Sequence, residues 1–74
     1  MLEACVLLKT VPTKAYAILG ALKEMKGVKK AYLVYGRFDL VAFLQVEDYP
    51  ALKKATTEVN SWDGVRSTET LAEA

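Results

Sequence analysis

The 74-residue chain contains no histidine, one cysteine, two prolines and four glycines. Without histidine it lacks the side chain that most often moves protons or binds metals near neutral pH. The one cysteine, Cys5, cannot close an internal disulfide, and among Ala4, Val6 and Leu7 it reads as a small buried hydrophobe rather than a reactive thiol. No carboxylates or thiols recur at metal-ligand spacing, so neither a metal nor another cofactor is expected. No apolar run approaches the roughly 18 to 20 residues needed to span a bilayer, and the N-terminus lacks the charged, apolar and cleavage regions of a signal peptide. The expectation is a soluble, cytoplasmic chain with no membrane partner. Ten basic and nine acidic residues, a formal charge of +1, are spread along the sequence. They leave no electrostatic footprint for direct contact with nucleic acid.

What the sequence does have is apolar residues, 53% of the chain against 26% charged, a composition that orders and folds. No linker or low-complexity tract divides it, which predicts a single domain over residues 1–74. At this length a lone core is thin, and association between copies commonly supplies the missing burial.

Residues 3–10 are apolar and partly β-branched, and Pro12 ends this first strand, with Thr10 or Thr13 available to cap a helix. Ala15, Ile18, Leu19, Leu22 and Met25 then form one stripe at helical period, closed by Gly27. KKAYLVY and DLVAFLQVE follow as antiparallel strands joined by a tight loop at Gly36 and Arg37. Asp48 with Pro50 starts a second helix, whose stripe is Leu52, Ala55, Thr56, Val59 and Trp62. Asp63 and Gly64 break it, and residues 65–72 form the last strand, in which Val65, Ser67, Glu69 and Leu71 share one face. The order βαββαβ, with right-handed crossovers, predicts an α+β ferredoxin-like sandwich: a four-stranded antiparallel sheet with both helices on one face.

The uncovered face should be polar in a monomer. It is not, because Cys5 and Leu7 oppose Ala4, Val6 and Leu8, while Val41 and Phe43 oppose Leu40, Ala42, Leu44 and Val46. Full burial of one such side chain is worth about 1.5–3 kcal/mol. The economical arrangement is a homodimer through the sheet face, of the dimeric α+β barrel type.

The stretch GRFDLVAFLQV, the aspartate-led helix after it and the ending GVRSTETL together resemble the effector-binding (RAM) domain of Lrp/AsnC transcription regulators, over nearly all of the chain. The chain begins directly at the first strand, so it resembles a stand-alone form without the helix-turn-helix of those regulators. The resemblance implies sheet-face dimers that assemble further into higher oligomers, with a free amino acid as effector bound at dimer-dimer contacts near the hairpin. Gly36, Arg37, Phe38 and Asp39 match the family's G-x-F/Y-D motif. Gly36 would let the backbone turn toward a ligand, Asp39 would accept from an α-ammonium, and Arg37 or the turn amides would hold an α-carboxylate. Thr68 and Thr70 would add hydroxyl contacts from the last strand.

Each residue also has a plainer reading. Asp39 can stabilise its own turn, Arg37 can be a solvated loop residue, and Thr68 and Thr70 can be simple strand formers. Three other readings of function stand beside the effector-binding one. A ligand-independent subunit could join full-length Lrp/AsnC regulators through the same surfaces. A dimeric α/β barrel enzyme would share the fold, but its chemistry would fall to Asp39 with Tyr32 or Tyr35, which nothing orients. An ACT-like module shares the element order but fits GRFD less well.

Overall fold

The computed structural model describes residues 1–72. Its elements are β1 (Leu2–Thr10), a 3₁₀ turn (Pro12–Lys14), α1 (Ala15–Glu24), β2 (Val28–Leu33), β3 (Leu40–Val46), α2 (Tyr49–Asn60) and β4 (Val65–Ala72). The four strands form one antiparallel sheet in the order β2-β3-β1-β4. This is the expected ferredoxin-like sandwich.

The central pair is β1 with β3, in a register that sets Ala4 opposite Leu44, Val6 opposite Ala42 and Leu8 opposite Leu40. Those six side chains are buried beneath the helices, with Ile18 and Leu22 from α1 and Leu52 and Val59 from α2. Alternate residues of the same strands, Cys5 opposite Phe43 and Leu7 opposite Val41, fall on the uncovered face. Phe43 is 42% exposed there and Leu71 of β4 is 56% exposed.

Both outer strands carry one residue more than their neighbours match. Lys29 is the extra residue of β2 and Arg66 that of β4. The bulge at Arg66 corrects the simple alternation predicted for the last strand. Ser67, Glu69 and Leu71 lie opposite Lys9, Leu7 and Cys5 on the open face, while Val65 is paired with Thr10 and packs against the core. An inserted residue reverses the facing of everything beyond it.

Asp48 caps α2 as expected, accepting from the Ala51 N–H at 3.0 Å. The start of α1 differs from expectation. Neither Thr10 nor Thr13 caps it; the 3₁₀ turn leads directly into the helix, and Thr10 is buried at the end of β1. Lys14 instead ties this turn to the α2–β4 corner through Asp63, 2.6 Å away. The hydrogen bond and charge of Lys14 hold the Asp63 carboxyl below its ordinary value. Whatever this pair adds is present above the ordinary carboxylate pKa and is lost as pH falls through the lowered one.

Gly64 closes that corner with φ at +95°, and a Cβ there would stand 2.7 Å from Lys14 Cβ. Gly20, exposed within α1, has no neighbour within 4 Å of its Cβ position. Urea unfolding at fixed chain concentration should therefore separate the two. Gly64→Ala is expected to cost about 1–3 kcal/mol from the left-handed backbone alone, whereas Gly20→Ala is expected to add about 0.5–1 kcal/mol.

Candidate functional site

The segment joining β2 to β3 spans residues 34–39, longer than the two-residue loop predicted for Gly36 and Arg37. The reason lies in the backbone. The Val34 N–H donates to the Asp39 carbonyl at 3.0 Å, so the strands separate just past this bond. Gly36, at a φ of +122°, makes the turn in a region closed to most side chains. Tyr35, Gly36 and Arg37 are exposed, and Phe38 and Asp39 are half-buried. The loop is a projection rather than a cleft.

Asp39 fastens this projection to β1 twice. Its N–H donates to the Leu8 carbonyl at 2.8 Å, and its Oδ2 accepts from the Thr10 N–H at 2.9 Å. Thr10 is only 2% exposed, so without Asp39 its N–H would lose that partner where water reaches poorly. Lys9 adds a third tie, its ammonium donating to the Arg37 carbonyl at 3.2 Å. Lys9 carries no role in the sequence reading, and Thr10 only that of a candidate helix cap. The available signal was Lys9, a charge that follows the apolar run Ala4 to Leu8, but only the register of β1 against β3 carries it to the hairpin.

Gly36, Arg37, Phe38 and Asp39 thus stand together, with Asp39 anchored and Arg37 free to project. Thr68 lies on the same end of the sheet, opposite Leu8, but on the helix side, where its hydroxyl donates to Asn60 Oδ1 at 2.9 Å. Thr70, opposite Val6, faces a groove beneath α2 with Leu52 and Thr56. Within one chain the two threonines face α2 rather than the hairpin.

The open sheet face is the other notable surface. Tyr32 and Phe43 meet edge to face with ring centres 6.3 Å apart, a favourable geometry for aromatic quadrupoles. With Cys5 and Leu71 they line a depression of ≈ 840 Å³ whose polar rim includes Glu3 and Lys30. It lies at the end of the sheet away from the hairpin. Burial pushes the Cys5 thiol up from its ordinary value, which reduces its thiolate character. Among the described residues no group of three or more histidines, cysteines or carboxylates could hold a metal ion, and no helix is long and apolar enough to cross a membrane.

A sheet covered on one side only, with a glycine-aspartate hairpin projecting from it, defines the class of small α+β sandwiches with one open face. The family model of the Lrp/AsnC ligand binding domain matches residues 3–72. The chain belongs to that family. TTHA0845 from Thermus thermophilus has a TM-score of 0.96 at 33% identity, with 100% of this chain and 94% of that one covered. AsnC from E. coli has a TM-score of 0.88 at 19% identity, covering 97% of this chain and 50% of AsnC. The transcriptional regulator NMB0573 from Neisseria meningitidis, in an L-Met complex, has a TM-score of 0.86 at 16% identity, over 99% and 49%. The latter two similarities establish a shared fold. A search of curated proteins finds no match.

Because Asp39 satisfies a buried N–H, its replacement has a structural cost. Asp39→Ala is expected to lower stability by about 1–3 kcal/mol, whereas Asp39→Asn, which keeps an acceptor oxygen, should lose clearly less. Urea unfolding of both variants checks this. Equal loss in the two would mean that charge, not the acceptor, holds the hairpin.

Proposed function

We propose that the chain is an amino-acid-responsive binding and assembly module in transcription regulation. Copies pair through the open sheet face, pairs associate into a higher oligomer, and a free amino acid binds at the contacts between pairs beside the Gly36–Arg37–Phe38–Asp39 hairpin. The observation that carries this is the hairpin itself: a loop that projects from the fold yet is held to β1 by Asp39. A projection in one copy needs a second surface to become an enclosed site, so binding and assembly are one event. A ligand that completes such a contact stabilises the assembled form by its differential affinity for the two states. The L-Met complex of the related fold from Neisseria meningitidis supports the ligand class.

In this arrangement Asp39 offers its Oδ1 to an α-ammonium, and Arg37 or the turn amides hold an α-carboxylate. Thr68 and Thr70 contribute from a neighbouring copy or through a change at α2. The module works by binding, without covalent chemistry, and in the cytoplasm, as a single domain over residues 1–74.

A second reading is favoured by the anchoring role of Asp39. If its carboxylate serves only Thr10, the chain is a ligand-independent subunit that joins full-length Lrp/AsnC regulators. Light scattering separates the two. In the amino-acid reading the mass or melting temperature changes with one or a few free amino acids; in the subunit reading a stable oligomer ignores them all.

The sheet-face contact has its own test. Each half-exposed Phe43 or Leu71 gains roughly 1 kcal/mol on burial, whereas a lysine set into that contact would be an unpaired charge. Phe43→Lys is expected to shift the scattering mass to that of a monomer while the far-ultraviolet circular dichroism stays folded. An unchanged mass would place the pairing surface elsewhere.

A further inference from the structure

The exposed charge of the hairpin is not balanced. Three charged groups lie on it or against it: the Lys9 ammonium, bonded to the Arg37 carbonyl at 3.2 Å, the Arg37 guanidinium, and the Asp39 carboxylate. Two cations and one anion leave a net positive charge. Availability widens the difference, since Lys9 and Arg37 are exposed while Asp39 is half-buried with Oδ2 on the Thr10 N–H. Of the neighbouring acids, Asp63 is paired with Lys14, and Glu69, diagonal to Lys9 on the open face, forms no ion pair with it among the described residues.

An amino acid with a neutral side chain is a zwitterion. Its ammonium can answer Asp39 and its carboxylate one of the cations, which leaves the other cation unmatched. A dicarboxylic amino acid carries one further negative charge and answers all three groups. The guanidinium fork suits a carboxylate in a two-point contact, and the Lys9 ammonium adds a compact point charge beside it.

We propose that the hairpin selects an acidic amino acid of the aspartate or glutamate class. Its two carboxylates are held by Arg37 and Lys9, and its ammonium by Asp39. This rests on the amino-acid reading above and narrows it to one charge type.

Titration calorimetry of the native chain with L-glutamate, L-glutamine, L-aspartate and L-asparagine tests it, since each acid is compared with its near-isosteric amide. The acids are expected to bind at least about tenfold more tightly than the amides, the difference that one charge-assisted contact supplies. Raised ionic strength should narrow the gap, and Arg37→Gln, at an exposed loop position, should nearly erase it. Amides binding as well as the acids would overturn the acidic preference and leave the amino-acid site standing. So would tight binding confined to some other amino acid in the light-scattering screen. Absence of response to every amino acid would overturn both.

Discussion

The pairing of β1 with β3 is the constraint from which the rest of the structure follows. Each strand is apolar on both faces, and their register puts one set of side chains, from Ala4 and Leu44 to Leu8 and Leu40, under the helices. A slip of one residue would exchange that set for Cys5, Leu7, Val41 and Phe43, so the register is tightly specified on the covered side. The same two-faced sequence leaves the second set outside the helix-covered core, with Phe43 exposed, Cys5 and Leu7 half-buried and Val41 buried. A small domain has little stability to spare, and its bare face is the physical reason to expect a second copy.

The hairpin depends on the same register. With Leu8 opposite Leu40, the end of β1 lies beside Asp39, close enough for Leu8 to receive its N–H and for Thr10 to donate to its carboxylate. Lys9, between them, points to the other side and reaches the Arg37 carbonyl. A loop rich in charge is thereby mounted on a central strand of the sheet. Such a mounting limits the ordering that a ligand must impose when it binds, and it gives Asp39 a structural duty alongside the proposed binding one.

Much of this was legible in the sequence, for identifiable reasons. The order of elements followed from the helical stripes in α1 and α2, the short apolar runs of β1 and β3, and the Pro and Gly breaks between them. The open apolar face followed from the lack of polar alternation in those two runs. GRFD marked the hairpin because a glycine at a turn and an aspartate at a strand start have few alternatives. The loop's true length was hidden, because the backbone bond between Val34 and Asp39, not residue type, decides where the strands part. The roles of Lys9 and Thr10 were hidden too, since they arise from a contact 28 and 29 residues away in the chain. The facing of Val65 failed at one inserted residue, Arg66, and bulges leave no mark in hydrophobic pattern.

Those bulges reach beyond their local geometry. A chain that is 53% hydrophobic and carries a formal charge of only +1 has little overall repulsion to keep its copies apart, and an open sheet offers unpaired backbone along two margins. Both margins are interrupted at a basic residue out of register, Lys29 on β2 and Arg66 on β4. A strand added there would meet a kink and a charge together, which opposes endless side-by-side growth of the sheet. Whatever contact the copies make, the margins of the sheet disfavour fibre formation.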